Sequence, residues 1–280
     1  MITYPCAKIN LGLNIVRKRP DGYHDLQTVF YPLPLHDTIE AFVIHPSYPL
    51  QTPCSIKTHG IRIEGSEQDN LVARAFRLLQ DEGYINKESR VHFNIYKGIP
   101  SQAGMGGGSA DGAYTLRLLN ELFALGLNAA KLEAMAARLG ADCPFFVQSR
   151  PVYAEGIGEK MQPISLDLAG LYVGIVKPDI AVPTREAFAH VVPQVPQHCC
   201  RDVVAQPIET WRRQLTNDFE TSVFAQHPQL AHIKQKLYDL GAVYAAMSGS
   251  GSALFGIFSE PVVNFSEQFP NDYVFFNIFK

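Results

Sequence analysis

The stretch from Pro100 to Ala113 reads Pro-Ser-Gln-Ala-Gly-Met-Gly-Gly-Gly-Ser-Ala-Asp-Gly-Ala. Glycine tolerates positive φ and lets backbone come close to a ligand. Before the stretch, Val91, Phe93 and Ile95 alternate as in a strand, and after it Ala113, Leu116, Leu119 and Leu122 recur as in a helix. A glycine-rich loop that opens a helix brings free N–H groups and the positive end of the helix dipole to one place. That is an anion site, suited to the β- and γ-phosphates of a nucleotide. Its candidate contacts are Pro100, Ser101, Gln102, Ala103, Gly104, Met105, Gly106, Gly107, Gly108, Ser109 and Ala110. The Ser109 hydroxyl suits either a phosphate oxygen or magnesium. The loop is not a Walker A loop, because no Gly-Lys-Ser/Thr follows the glycines. It also lacks the strand–GxGxxG–helix unit and later acid of a dinucleotide site. A flexible linker is the plain alternative, and the strand and strong helix on either side argue against it.

Two charged residues stand in apolar company. Asp142 heads the run Pro144-Phe145-Phe146-Val147, and a carboxylate partly removed from water needs a partner. Lys8, inside the apolar segment Ala7 to Val16, is the partner expected. Asn10 follows two residues later and so shares the strand face of Lys8, where its amide suits an acceptor polyol. The plain alternatives are a turn or cap acid for Asp142 and an exposed strand lysine for Lys8.

These groups need elements to hold them. Ile9, Leu11, Leu13 and Ile15 alternate, which predicts a half-buried strand over 7–16. Further strands are expected over 26–33, 38–44, 91–96 and 171–177, and a hairpin over 152–164 with its tip at Gly156-Ile157-Gly158. Helical spacing covers 69–82, with Asp69 as N-cap, then 110–123 and 129–139, the last closed by Gly140. Pro193 to Pro207 reads as a surface loop. Segments 219–223 and 229–240 read as helices, and 243–258 as strand, glycine turn, strand.

Three segments follow one pattern. Pro5-Cys-Ala-Lys-Ile-Asn-Leu11, Pro100 to Ala113, and Ala246-Met-Ser-Gly-Ser-Gly-Ser-Ala253 resemble, in order, the three motifs of the GHMP kinase family (galacto-, homoserine, mevalonate and phosphomevalonate kinases). Four further segments sharpen the likeness: Asp21-Gly22-Tyr23-His24, Gly106 to Ser109, Gly140 to Phe146, and Ala154 to Glu159. They resemble the members that phosphorylate a cytidine diphosphate-linked methylerythritol on its 2-hydroxyl, in the non-mevalonate route to isoprenoid precursors. The resemblance implies an α+β protein of two domains with the active site in the cleft between them. The expected division is an ATP-binding domain over 1–155 and a substrate domain over 156–280.

The same resemblance implies ATP as phosphate donor, with Mg2+ arriving on its phosphates, and assigns roles. Asp142 accepts the hydroxyl proton, with Lys8 keeping it ionised and offsetting charge on the transferring phosphate. Tyr23 stacks on the cytosine and His24 bonds its edge. Phe188 forms the second face of that sandwich, with Thr184 nearby. Backbone N–H groups of Ser248, Gly249 and Ser250 meet the acceptor's diphosphate. Asn70 and Lys97 are secondary candidates for the adenosine pocket. Another kinase of the family, and a non-catalytic ligand sensor on the same fold, remain open alternatives.

The rest of the sequence bounds these readings. The chain has 280 residues, 46% hydrophobic and 18% charged, with a formal net charge of −3. That composition suits a globular core and, without a basic run, argues against nucleic acid as partner. No apolar run reaches the ~18–20 residues of a membrane span, and no leader pattern opens the chain. A cytoplasmic small-molecule enzyme is the expectation. Cys6, Cys54, Cys143, Cys199 and Cys200 form no CxxC pair, so reduced thiols and no protein-held metal are expected.

Overall fold

The computed structural model describes residues 1–45, 52–62, 66 and 69–279. In chain order the strands are β1 (Ile2–Thr3), β2 (Cys6–Lys18), β3 (His24–His36), β4 (Thr38–Ile44), β5 (Cys54–Gly60), β6 (Arg90–Lys97), β7 (Val152–Gly156), β8 (Lys160–Pro163), β9 (Tyr172–Lys177), β10 (Tyr244–Met247), β11 (Leu254–Phe258) and β12 (Tyr273–Ile278). The helices are α1 (Leu71–Asp81), α2 (Gly107–Leu122), α3 (Ala129–Leu139), α4 (Phe145–Gln148), α5 (Thr184–Ala189), α6 (Cys200–Val204), α7 (Trp211–Gln214), α8 (Phe219–Gln226) and α9 (Pro228–Asp239).

The chain folds into two compact units, one of residues 1–7, 35–101 and 106–149, the other of 8–34, 102–105 and 150–280. The chain crosses between the units at 149/150, where a contiguous division at 155/156 was expected. Residues 8–34 and 102–105, expected with the first domain, belong to the second unit.

In the first unit β6 is the central strand of a sheet ordered β1-β4-β6-β5. It pairs antiparallel with β4, Ile39 opposite Ile95, and parallel with β5, Ile56 opposite Phe93. Val91, Phe93 and Ile95 of β6 are fully buried, and Phe93 meets Phe76 of α1 edge-on, ring centroids 6.4 Å apart. Helix α1 turns Val72, Ala75, Phe76 and Leu79 inward at helical spacing. Of these, the Val72, Phe76 and Leu79 side chains, fully buried, contribute about 1.5–3 kcal/mol each. The N-cap of α1 is Asn70, whose Oδ1 accepts from the Val72 N–H at 2.9 Å. Asp69, expected in that place, instead accepts from the Ser66 hydroxyl at 2.7 Å. Gly140 is the C-cap of α3, as expected, with extended backbone at φ 174° and its N–H donating to the Ala136 carbonyl.

The second unit holds two sheets, ordered β2-β3-β7-β8 and β10-β11-β9-β12. Its core joins Leu13 and Ile15 of β2 to Val176, Phe219, Leu230, Leu237 and Phe258. The aromatic tail supplies β12, antiparallel to β9, and Phe276 packs against Phe258 and Phe265. The expected loop over 193–207 contains α6, because Cys200, Val203 and Val204 turn into the core. All five cysteines are free.

Candidate active site

In the first unit the chain leaves β6 at Lys97 and enters α2 through the glycine loop. Gly106 stands before the helix at φ 72°, a left-handed value that suits glycine. The first helical bond runs from the Ala110 N–H to the Gly106 carbonyl at 2.8 Å. The N–H groups of Gly107, Gly108 and Ser109 therefore stand outside the helical ladder, at the positive end of a 16-residue helix. These are the N–H groups for which the sequence predicts an anion.

Lys97 and two acids hold that loop. The Lys97 ammonium is buried between Asp37 and Asp111, 2.6 Å from Asp111 Oδ2 and bonded also to Asp37 Oδ2. Asp37 Oδ1 accepts from the N–H groups of Gly98 and Ile99 at 2.7 and 2.9 Å. Asp37 thus fixes the start of the loop and Asp111 lies on the helix that ends it. Burial pushes the Asp111 carboxyl up to about 7, with Lys97 opposing the rise and Asp37 adding to it. Burial lowers Lys97, yet the charges of Asp111 and Asp37 outweigh it and hold its ammonium above the ordinary value. The other Asp111 oxygen, Oδ1, is buried with no hydrogen-bond partner among the described residues. Lys97, a candidate for the adenosine pocket, has its headgroup engaged by these carboxylates. Asn70, the other candidate, has its side-chain oxygen engaged as the cap of α1.

Ser109 and Asp142 meet around Cys143, in the turn between α3 and α4. Burial pushes the Cys143 thiol up to about 11, a hydrogen bond with Ser109 opposes that rise, and the Asp142 charge adds to it. The loop serine and the candidate base are therefore both neighbours of one buried sulfur. Asp142 itself is half-buried.

In the second unit β2 carries Lys8, Asn10 and Gly12 on one face. Strand β2 is buried from Cys6 to Ile15 on both faces, where the alternation alone predicts burial of one. Lys8 Nζ donates to Asn10 Oδ1 at 2.6 Å and lies over the Phe30 ring, 4.8 Å from its centroid. Asn10 Nδ2 donates to Thr28 Oγ1 at 2.9 Å, and the Thr28 hydroxyl donates to the Gly12 carbonyl at 2.6 Å. Gly12 adopts φ +70°, and a Cβ there would run into Leu215 and Cys200. This chain of bonds fixes the direction of the Lys8 ammonium.

Residues 102–105 lie along the third motif. The Lys8 N–H donates to the Met105 carbonyl at 3.0 Å, and Ser248 Oγ donates to the Gly104 carbonyl at 3.0 Å. A Cβ on Gly104, at φ +71°, would strike the Ser248 carbonyl. Thr184 Oγ1 and Ser250 Oγ stand 3.3 Å apart.

Tyr23 is 61% exposed and follows the turn Asp21-Gly22, where the Arg19 N–H donates to the Tyr23 carbonyl at 2.8 Å. His24 opens β3 and stacks on Phe188, centroids 4.9 Å apart and planes 22° apart. Phe188 meets Phe219 edge-on. Burial, helped by Lys18, lowers the His24 imidazole below its ordinary value, which favours the neutral ring, with one donor and one acceptor nitrogen.

Among the described residues, no group of three or more His, Cys, Asp or Glu side chains is placed to hold a metal ion. Asp37, Asp111, Thr28 and Asn217 are buried polar residues of the two units that sequence reasoning missed. Each reads locally as an ordinary turn acid, strand threonine or helix-start asparagine.

Residues 70–150 match the GHMP kinases N terminal domain, and residues 201–274 match the GHMP kinases C terminal domain. The 4-diphosphocytidyl-2-C-methyl-D-erythritol kinase of Bacteroides fragilis is 49% identical over 259 residues, covering 92% of each chain. The enzyme of the same name from Parabacteroides distasonis is 44% identical over 268 residues, covering 96% of this chain and 95% of its own. A crystal structure of a 4-(cytidine 5'-diphospho)-2C-methyl-D-erythritol kinase superposes with a TM-score of 0.78 at 28% identity, covering 99% of this chain and 98% of the other.

Proposed function

This chain belongs to the GHMP kinase family, among its 4-diphosphocytidyl-2-C-methyl-D-erythritol kinases, and from that premise we propose that it transfers the γ-phosphate of ATP to the 2-hydroxyl of 4-diphosphocytidyl-2-C-methyl-D-erythritol. The observation that carries the phosphoryl-transfer part is the start of α2, where three successive N–H groups stand outside the helical ladder behind glycines. Phosphoryl transfer to an alcohol needs an in-line oxygen, neutralised phosphate charge and a place for the proton.

The N–H groups of Gly107 to Ser109 bind the transferring end of ATP, with the Ser109 hydroxyl on a phosphate oxygen. Asp142 takes the proton of the acceptor hydroxyl. The Lys8 ammonium, held by Asn10, offsets charge on the phosphoryl group in flight. Tyr23 stacks on the cytosine, His24 bonds its edge as a neutral ring, and Phe188 and Thr184 line the same pocket. The backbone of Ser248 to Ser250 meets the acceptor's diphosphate. A magnesium ion fits as the counter-ion of ATP, held by phosphates and water, and supplies charge neutralisation when bound. Both substrates are water-soluble nucleotides, and we assign the reaction to the cytoplasm.

The test is ADP release with magnesium-ATP and the cytidine diphosphate acceptor, run beside homoserine and mevalonate. Turnover with the cytidine compound alone is expected. Turnover only with homoserine or mevalonate would keep the kinase and discard the cytidine pocket. Replacing Tyr23 with alanine is expected to raise the acceptor KM about fivefold or more, since a stacked ring is worth roughly 1–3 kcal/mol. An unchanged KM removes Tyr23 from the pocket.

A further inference from the structure

Asn217 has no part in the reaction described above, yet it grips the turn assigned to the acceptor's diphosphate. The residue is 3% exposed. Its Nδ2 donates to the carbonyl oxygens of Met247 and Gly249, both at 2.8 Å. Its Oδ1 accepts from the Phe219 N–H at 3.0 Å. Both amide hydrogens and the amide oxygen are thus engaged, and the side chain has one permitted orientation.

That orientation decides where the turn points its donors. The Gly249–Ser250 peptide is trans, and a trans peptide carries its C=O and N–H on opposite sides. With the Gly249 carbonyl drawn onto Asn217, the Ser250 N–H faces away from Asn217. The neighbouring groups are already paired. The Ser248 N–H donates to Ala253, and the Gly251 N–H donates to the Ser248 carbonyl, both at 2.9 Å. The N–H groups of Gly249 and Ser250 appear in no hydrogen bond among the described residues.

Asn217 is itself firmly placed. The Leu13 N–H donates to the Thr216 carbonyl and the Asp218 N–H donates to the Leu13 carbonyl, both at 2.8 Å. Asp218 accepts from the Ile15 N–H at 2.8 Å and from Asn14 Nδ2 at 3.1 Å. Glu220 accepts from the Met247 N–H at 2.8 Å. The segment Asn217 to Glu220 therefore ties the glycine turn to β2, the strand that carries Lys8 and Asn10.

We propose that Asn217 is a positioning residue for the acceptor: by holding the Gly249 carbonyl it aims the Ser250 N–H, beside that of Gly249, at the diphosphate of a nucleoside diphosphate-linked substrate. The inference rests on the reaction proposed above. It differs from a purely structural role for Asn217, which would affect the whole fold and every ligand alike.

The experiment measures binding of cytidine 5'-diphosphate and of cytidine to the full chain and to its Asn217→Ala variant. The variant is expected to bind the diphosphate on the order of tenfold more weakly, the value of a hydrogen bond to a charged group, and cytidine within about twofold of the parent. Its acceptor KM rises by more than its kcat falls, and its KM for ATP holds. Equal weakening for both ligands, or for neither, overturns the inference and leaves the reaction standing. A parent that binds neither ligand overturns the reaction, and the inference with it. A second measurement needs no variant. In the parent, the amide resonances of Gly249 and Ser250 shift with cytidine 5'-diphosphate and stay in place with cytidine; unmoved amides overturn the inference even where Asn217→Ala fails to fold.

Discussion

Lys8 and Lys97 are both buried lysines, 4% and 6% exposed, and each unit of the molecule treats its own differently. Lys97 sits between the carboxylates of Asp37 and Asp111. Lys8 is steered by a neutral amide oxygen, Asn10 Oδ1, and by the face of Phe30. Two carboxylates brace the Lys97 ammonium, whereas an amide oxygen and a ring set the direction of the Lys8 ammonium. The contrast is between a lysine held by two carboxylates and one directed by an amide oxygen, and burial alone would not tell them apart.

The strongest test exchanges each lysine for methionine. Lys97→Met strands two buried carboxylates, and removing one partner of a buried ion cluster costs about 3–5 kcal/mol. Denaturant unfolding should record that loss. Lys8→Met should unfold near the parent midpoint but lose about 10²–10³ in kcat, the scale of one preorganised charge at a transition state. If Lys8→Met instead loses stability on the scale of Lys97→Met, the comparison breaks.

A finer test changes the group that directs Lys8. Asn10→Asp puts a carboxylate where the amide oxygen is, 2.6 Å from Lys8 Nζ in the parent. The parent bond already has a charged donor, and a charged acceptor turns it into an ion pair, stronger by on the order of 1 kcal/mol. Holding the ammonium that much more tightly should lower kcat on the order of tenfold. The ADP-release assay at saturating acceptor measures it, and an unchanged kcat would mean that the direction of the Lys8 ammonium, not how tightly it is held, is what matters.

How far these two lysines were legible in the sequence depends on how local their surroundings are. The glycine loop declared itself because Gly106 must take a left-handed φ and because a strand and a helix flank it. Lys8 and Asn10 were legible as one strand face, since strand period fixes which residues share a side. That this face is also buried was not legible, because alternation reports only the apolar side. The setting of Lys97 was hidden for another reason. Its partners lie 60 and 14 residues away in sequence, and no periodicity links them. Asn217 sits 30 and 32 residues from the carbonyls it holds and reads locally as a helix start. Two domains were expected, but the course of the chain between the units was hidden: it passes from one to the other inside β2 and β3, where composition does not change. Helix α6 was missed because the prolines around it masked the short apolar side of Cys200, Val203 and Val204.

The smallest effect concerns the acid that Lys97 fails to hold fully ionised. Burial, with Asp37 adding to it, pushes the Asp111 carboxyl up to about 7, well above an unfolded aspartate near 3.9. The folded chain therefore binds this proton more tightly than the unfolded chain. The stabilisation is complete below about pH 4, where both forms are protonated, and is lost as pH rises through about 7. Asp111→Asn removes the titration while keeping an oxygen for Lys97. Between pH 5 and pH 8 the unfolding free energy of the variant should gain on that of the parent by at least about 1 kcal/mol, the worth of a single pK unit. Urea titrations of both proteins across that range measure it. Curves that stay parallel would mean that Asp111 is ionised throughout, and that Lys97 is paired with two full charges rather than with a carboxylate and an acid that shares its proton.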